Sequence, residues 1–490
     1  MKKKFLSNLV LIIFLNLIIK PFYILGIDAE IINRVGELDY GVYFSIINLT
    51  FLFNVFLDLG INNFNVTNLA QHSFLLKKHF SKIIPLKIFL GVVYFLIVSC
   101  VGYFLDYNIK ILMFLLFNQF LAVFLLFLRS NLAGLHLFFQ DSIISVLDRF
   151  LLIIICSLLL WGNIVSSPFQ IIWFVYAQSF SYLLAVLFSI IFILKKTGRF
   201  DLNWDPLFSL ALLKRSLPYA ILIFLMTIYY RVDVIMIELI QGPSEAGVYA
   251  GSFRFFEASN MISYLFAVLL LPIFSRLLKN KKPISELVLI SFKIIISFSL
   301  VLCFISIFYN KEIIQFRYGL GQFDNIELFL NKSFNIFPIL MFCFLCISCT
   351  YIFGTLLTAN GNLNLLNKIA FSGMIFNIIL NYFLISSYGA LGAAISSFFT
   401  QAITAMVQIF FCFNIFKFNN FKFILEPLVF FIIGLFIIGF ISIDLSEKWY
   451  INICLFGFLS IIWSFITGMI RFSYLKNIFS NEKNLNYDKR

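Results

Sequence analysis

Charge is what this sequence has least of. Asp, Glu, Lys and Arg make up 12% of its 490 residues, about half the share of a soluble domain, while 62% of the chain is hydrophobic. An excess of that size cannot be hidden in a water-facing fold, which excludes a soluble enzyme, a secreted disulfide scaffold and a disordered chain. Histidine is nearly absent: His72, His79 and His136 are scattered, and no HExxH pair occurs. There is no GxxxxGK[ST] phosphate loop, so no ATP engine is encoded here. No segment between the apolar stretches exceeds about 25 residues, which leaves no room for a soluble catalytic domain. The eight cysteines all fall inside apolar stretches. Cys343, Cys346 and Cys349 share a helix face with no histidine beside them, and are read as small packing residues rather than as metal ligands.

What the chain does have is long apolar runs. A bilayer core needs roughly 20 apolar residues per helix. About fourteen such runs occur, near 5–26, 42–66, 83–104, 111–130, 142–163, 169–194, 217–240, 248–275, 287–309, 334–358, 364–386, 390–416, 424–443 and 449–470. Runs this continuous are helices, because barrel strands would alternate polar and apolar residues. The expected fold is therefore an all-α integral membrane protein. The formal charge of +13 reads as topology rather than as a nucleic-acid site. With the amino terminus placed in the cytoplasm, 23 of the 36 Lys and Arg fall in inside segments and 6 in outside ones, among the latter Arg34. That asymmetry predicts both termini inside. The basic head and apolar core of the first 19 residues resemble a signal peptide, but no small-x-small site follows, and the segment is read as a retained first helix.

The chain also repeats itself. Gly36-Glu-Leu-Asp39-Tyr-Gly41-Val42-Tyr43 and Gly242-Pro-Ser-Glu245-Ala-Gly247-Val248-Tyr249 share the pattern G-x-x-[D/E]-x-G-V-Y, 206 residues apart. The same step pairs Asn54 with Asn260 and Lys87 with Lys293. It covers six helices, an even number, so the copies are parallel, as in transporters whose two bundles rock about a central site. The expected organisation is a six-helix lobe over 1–205, a second over 206–416, and two additional helices with a cytoplasmic tail over 417–490. Gly41 and Gly247 are expected to permit tight turns where the lobes meet.

These residues resemble the polysaccharide (O-antigen type) flippases, relatives of the multidrug and toxic-compound extruders. Arg34-Val-Gly36-Glu-Leu-Asp39-Tyr-Gly41-Val-Tyr43 with Asp58-Leu-Gly60-Ile61 resembles the first two helices of that family. Tyr229-Tyr-Arg231-Val-Asp233, then Gly247-Val-Tyr249, Arg254, Glu257 and Leu271-Pro272, resembles the opening of its second lobe. Asn377-Ile-Ile-Leu-Asn381 and Tyr388-Gly-Ala-Leu-Gly392-Ala-Ala resemble its helices eleven and twelve. The resemblance implies alternating-access export of a polyprenyl-diphosphate-linked oligosaccharide across a bacterial inner membrane, for surface polysaccharide of the O-antigen or lipopolysaccharide kind. It implies a lipid-linked glycan and membrane lipid as partners, with a polysaccharide polymerase and a chain-length regulator as further ones, and neither a cofactor nor nucleic acid. A coupling ion, Na+ or H+, is not readable.

A charge at mid-bilayer costs about 2.5–3.5 kcal/mol on insertion scales, so embedded charges are expected to pair or to line water. Lys20, in the outer half of the first span, is read as a cavity cation, with snorkelling to the surface as the alternative. Arg231 and Asp233 are two residues apart, on different helix faces, and cannot simply pair. Arg254 and Glu257 are three apart and can; Arg231 and Arg254 are also read, with Lys20, as cavity cations. Lys87, Lys293 and Arg149, near the cytoplasmic face, are anchors or attract a diphosphate. Asp58 is a cap or gate contact, Arg34, Asp233 and Glu257 are gate or ion-pair residues, and Arg129 is a topology residue. Asn54, Asn260, Asn377 and Asn381 are interhelical glue. Two rivals remain. An ion-coupled drug exporter would want a neutral or acidic cavity. An integral-membrane glycosyltransferase would use a carboxylate of the first outside loop (Asp28, Glu30, Glu37 or Asp39), but one active site gives no reason to duplicate the loop.

Overall fold

The computed structural model describes residues 2–62, 76–134, 137–162, 167–198, 202–418, 422–443 and 445–470. His72, His136, Arg199 and the tail residues Arg471, Lys476, Lys483, Lys489 and Arg490 lie outside the described residues. Everything regular among the described residues is helical. The helices are α1 (Lys2–Phe22), α2 (Ala29–Leu52), α3 (Val55–Asp58), α4 (Leu76–Phe104), α5 (Ile109–Gly134), α6 (Phe138–Trp161), α7 (Ile171–Thr197), α8 (Pro206–Gln241), α9 (Pro243–Lys279) and α10 (Ser285–Phe308). There follow α11 (Asn310–Tyr318), α12 (Ile326–Ala359), α13 (Leu363–Tyr388), α14 (Ala390–Phe416), α15 (Lys422–Ile443) and α16 (Trp449–Ile466). Thirteen helical stretches among the described residues are long and apolar enough to cross a membrane. The first of them, Leu11–Leu52, breaks at Gly36, where φ is +80° and ψ 172°. Divided there, it gives the two segments expected at the start of the chain.

The first boundary differs from the sequence reading. The expected end near 26 is crossed without interruption: α1 passes through a π-helical turn, Tyr23–Asp28, into α2, and the helix stops only at Gly36. Pro21 has no N–H to donate, and the wider turn just after it accommodates that loss without ending the helix. Lys20 consequently lies 16 residues, or about 24 Å of helix, before Gly36. That places it at mid-span, out of easy reach of either surface.

Compact clustering divides the chain into two units. Unit 1 comprises Met1–Met261, Leu320–Ser333 and Leu363–Ser397, and unit 2 comprises Ile262–Gly319, Phe334–Asn362 and Phe398–Arg490. These units are drawn by packing, whereas the division at 205 and 416 is drawn by repeat and remains a proposal. In unit 1, α2 packs on α5 and α8, α5 on α7, α1 on α6, and α8 on α13. One apolar cluster joins α4 to α8 through Leu86, Leu90, Phe127, Leu128, Ala185 and Leu212. Asp205 caps α8, accepting the Phe208 N–H at 3.0 Å and a bond from Lys82 Nζ at 2.6 Å, which ties the start of that helix to α4. In unit 2, Phe304, Phe431, Leu435 and Phe456 hold α10 against α15 and α16. Large apolar side chains cover the outward faces, Phe440 and Ile466 each being 68% exposed, as a lipid-facing surface requires.

The repeat is visible in backbone geometry within unit 1. Gly242 adopts φ +93° and ψ 170°, nearly the conformation of Gly36, and both act as the break between two helices. Gly41 and Gly247 do not form turns, contrary to expectation. Both lie inside helices, and each fills a place where another backbone passes: a Cβ on Gly41 would overlap the Pro243 carbonyl, and a Cβ on Gly247 the Glu37 carbonyl. Because Pro243 stands 206 residues after Glu37, the contact is reciprocal, the two-fold arrangement of a self-complementary interface. Gly41→Val and Gly247→Val should each destabilise the protein by roughly 1–3 kcal/mol through overpacking. Gly457→Ala, where nothing lies within 4 Å of the new atom, should be neutral. Thermal unfolding of detergent-solubilised protein checks the pattern, and equal melting temperatures for all three would remove the contact.

Candidate functional site

The close approach at Gly41 and Gly247 brings Tyr40 of α2 against Arg254 of α9. Tyr40 donates to Asp28 Oδ1 at 2.7 Å and accepts from Arg254 Nε at 3.0 Å, while Arg254 Nε also stands 3.2 Å from Asp28 Oδ2. Arg254 pairs as well with Glu257, one turn along α9, as the three-residue spacing predicts. Glu257 then accepts from Arg231 Nη1 of α8 at 3.1 Å, and the same nitrogen donates to Asn48 of α2 at 3.2 Å. The Arg231 guanidinium lies over the rings of Phe51 and Tyr230, 4.7 and 5.1 Å from their centroids. The result is an alternating chain, Asp28–Arg254–Glu257–Arg231, in which the charges balance.

This chain forms one wall of a cavity of about 370 Å³ inside unit 1, at the small end of ligand pockets (roughly 300–1,000 Å³). A second group of lining residues is basic. Lys20, Arg129 and Arg149, with Asp148, lie within electrostatic reach of one another. Arg149 is held between the rings of Tyr23 and Tyr182, at 4.7 and 5.4 Å, and its Nε stands 3.4 Å from Asp148. Arg129 donates to Asp141 at 2.8 Å, and Asp141 does not itself line the cavity. Lys20 has no ion-pair partner among the described residues. Five cations therefore face the cavity against three carboxylates, Asp28, Asp148 and Glu257, and the excess sits on the Lys20 wall.

The structure thus brings four of the six expected cavity cations together: Lys20, Arg149, Arg231 and Arg254. Lys87 and Lys293 are not among the residues that line this cavity. Lys87, 2% exposed, pairs with Asp58 and lies over the Phe127 ring. Asp58 also accepts from the Asn62 N–H, so it holds the turn at Leu59 and Gly60 after α3. Lys293, 4% exposed in unit 2, donates to the Gly468 carbonyl at 3.3 Å. Asp233 faces away from Arg231, as its spacing requires, and is buried against Asn381, which donates at 2.7 Å, and Ser397. Arg34 pairs with Glu30 one turn back, partly exposed. Of the four supposed first-loop carboxylates, Asp28 belongs to the π turn and lines the cavity, while Glu37 accepts from the Asp324 N–H at 3.3 Å.

Sequence reasoning missed Arg129 and Asp148 as lining residues, and with them the amides Asn118, Gln119 and Gln178. Asn118 donates to the Val175 carbonyl and to Gln178, and Gln178 donates to Tyr43 at 2.8 Å. A signal existed: amides in the middle of two apolar runs cost enough to need a reason. No group of three or more metal-ligating side chains occurs among the described residues.

A profile of the family described as "Polysaccharide biosynthesis protein" matches residues 7–278. No curated protein matches the chain in sequence. Among solved structures, the chain is similar to the lipid II flippase MurJ in an inward closed conformation, with a TM-score of 0.66 and 16% identity over 97% of this chain and 99% of that one. It is similar to a MOP superfamily transporter from Pyrococcus furiosus, reported to have a binding pocket of reverse polarity, with a TM-score of 0.61 and 14% identity over 85% of this chain and 96% of that one. A Vibrio cholerae MATE transporter, VcmN, gives a TM-score of 0.56 and 12% identity over 86% of this chain and 98% of that one. At these identities the likeness is one of fold.

The Lys87–Asp58 pair can be tested as structure rather than site. Lys87→Met alone should cost roughly 3–5 kcal/mol, because it strands a partly buried carboxylate, and Lys87→Met with Asp58→Asn should recover most of that. Denaturation of the solubilised protein reads both. A double variant no better than the single would show that the lysine acts elsewhere.

Proposed function

Because the chain belongs to the polysaccharide biosynthesis protein family, we propose that it is a flippase that carries a polyprenyl-diphosphate-linked oligosaccharide from the cytoplasmic to the outer leaflet of a bacterial inner membrane. The observation that carries this reading is Lys20, a cation with no ion-pair partner among the described residues, lining a cavity beside Arg129 and Arg149 in an otherwise apolar chain. An embedded cation without a fixed partner is expensive. A diphosphate supplies the missing anion, and it does so only while the substrate is aboard. A cationic drug would meet the wrong sign, which disfavours the exporter alternative.

The residues divide the work by how tightly they are held. Arg254 is committed to Asp28, Glu257 and Tyr40 and acts as the brace of the neutral wall. Arg149 is kept planar between Tyr23 and Tyr182, so it presents its guanidinium edge at little entropic cost. Lys20, on a flexible stem beside the π turn, is free to follow a phosphate. The polyprenyl tail stays in the bilayer while the head group occupies the cavity. With both termini inside, a diphosphate of about −2 moving outward gains about 2.3 kcal/mol per charge per 100 mV across an inside-negative membrane. Export then proceeds without ATP.

Lys20→Ala with Arg149→Gln should abolish export while leaving folded protein in the membrane. Complementation of a strain unable to expose its lipid-linked surface polysaccharide reads the first, and membrane yield with a single gel-filtration peak reads the second. Undiminished export by the double variant would remove the basic cavity from the mechanism.

A further inference from the structure

The cavity has a third surface, which the diphosphate does not need. On α5 the lining runs from Leu115 to Arg129, and Gln119 stands ten residues, or about 15 Å along the helix axis, from Arg129. The Arg129 end belongs to the basic wall. At the other end stand Asn118, Gln119, Gln178 and Tyr43, none of which carries a charge. Asn118 and Gln178 are used up on each other, on the Val175 carbonyl and on Tyr43. Gln119 is different: it is 7% exposed, lines the cavity and has no hydrogen-bond partner among the described residues. Tyr43 accepts from Gln178 and keeps its own proton to donate. A buried amide left without a partner costs stability unless something bonds to it. A free amide and a free phenol beside a phosphate-sized basic wall offer two donors and one acceptor to hydroxyl or acetamido groups.

We infer that Gln119, with Tyr43, reads the sugar attached to the diphosphate, and that this sugar is uncharged. The inference rests on the flippase reading. The cations within electrostatic reach of Tyr43, Arg254 and Arg149, are already answered by Asp28 and Asp148, so an acidic sugar there would find amides, a phenol and no cation left over for it. A cavity of this size takes a head group and its first sugar and leaves the rest of the glycan outside, so Gln119 determines specificity only for that first residue.

The test measures binding by purified protein in nanodiscs to three lipids: a polyprenyl diphosphate, the same lipid carrying one N-acetylhexosamine, and the same lipid carrying one hexuronic acid. Wild type should bind the N-acetylhexosamine lipid roughly three- to tenfold tighter than the bare diphosphate, the range of one or two net hydrogen bonds. The hexuronic acid lipid should bind no tighter than the bare one. In Gln119→Leu the ratio between the first two should fall to about one, whereas Gln119→Asn, which keeps the amide, should retain part of it. Lys20→Ala should weaken both and keep the ratio. A ratio unchanged by Gln119→Leu, or a preference for the hexuronic acid, overturns the inference alone. Failure of the wild type to bind the bare diphosphate, with Lys20→Ala silent, overturns the flippase reading beneath it.

Discussion

A guanidinium in hydrocarbon has to be answered, by a carboxylate or by water, and in this protein the answer given to Arg254 organises everything around it. Asp28, Glu257 and Tyr40 come from three helical segments, and they converge on one side chain. That convergence needs α2 and α9 to meet backbone to backbone, which is what Gly41 and Gly247 permit. It needs Asp28 to face inward, and Asp28 closes the π turn after Pro21. The breaks at Gly36 and Gly242 then set where each helix pair begins. Remove the buried network and the glycine contact has nothing to seat; remove the contact and Arg254 loses Tyr40.

The same cost explains which charges are fixed and which are available. A balanced buried network is weak evidence for stability, since desolvation offsets much of its Coulomb energy, but breaking one member is expensive. The Asp28–Arg254–Glu257–Arg231 wall is therefore a poor place for a ligand to compete. The Lys20 wall is a better one, because Lys20 has no ion-pair partner among the described residues and Arg149 holds Asp148 only at 3.4 Å. Aromatic faces on Arg149 supply attraction without neutralising its charge. An anion binds and leaves more easily at such loosely matched cations than at fully paired ones.

Much of this was legible in the sequence. Hydropathy located the membrane helices, because apolar runs this continuous satisfy their backbone in a bilayer only as helices, and helical spacing separated Arg231 from Asp233 and joined Arg254 to Glu257. The first span was misjudged because Pro21 and the polar residues after it imitate a loop, and a π turn leaves no periodicity that a short window detects. Arg129 was read as a surface residue because it stands near the end of a run, yet its partner Asp141 lies twelve residues on, across a helix boundary that proximity in sequence does not bridge. The amides were overlooked for a simpler reason: the search for function followed charge, and Gln119 has none.

The 206-residue step sorts the residues of the molecule into those that recur and those that do not. Residues that recur at the 206-residue step hold the backbone: Gly36 with Gly242 as breaks, and Gly41 with Gly247 as close contacts. Lys87 keeps that pattern, spent on a neighbouring carboxylate, while position 264, the counterpart of Asp58, is Tyr and Lys293 turns to a carbonyl instead. The charges around the cavity do not recur. Lys20 corresponds to Met226, Asp28 to Val234, Arg231 to Leu25, Arg254 to Asn48 and Glu257 to Phe51. Two of those neutral counterparts, Asn48 and Phe51, are what Arg231 donates to and lies over. Duplication supplied two like frames, and the site arose where they stopped being alike. A polar substrate needs one end held differently from the other, and a strictly symmetric lumen could not tell a diphosphate from the sugar it carries.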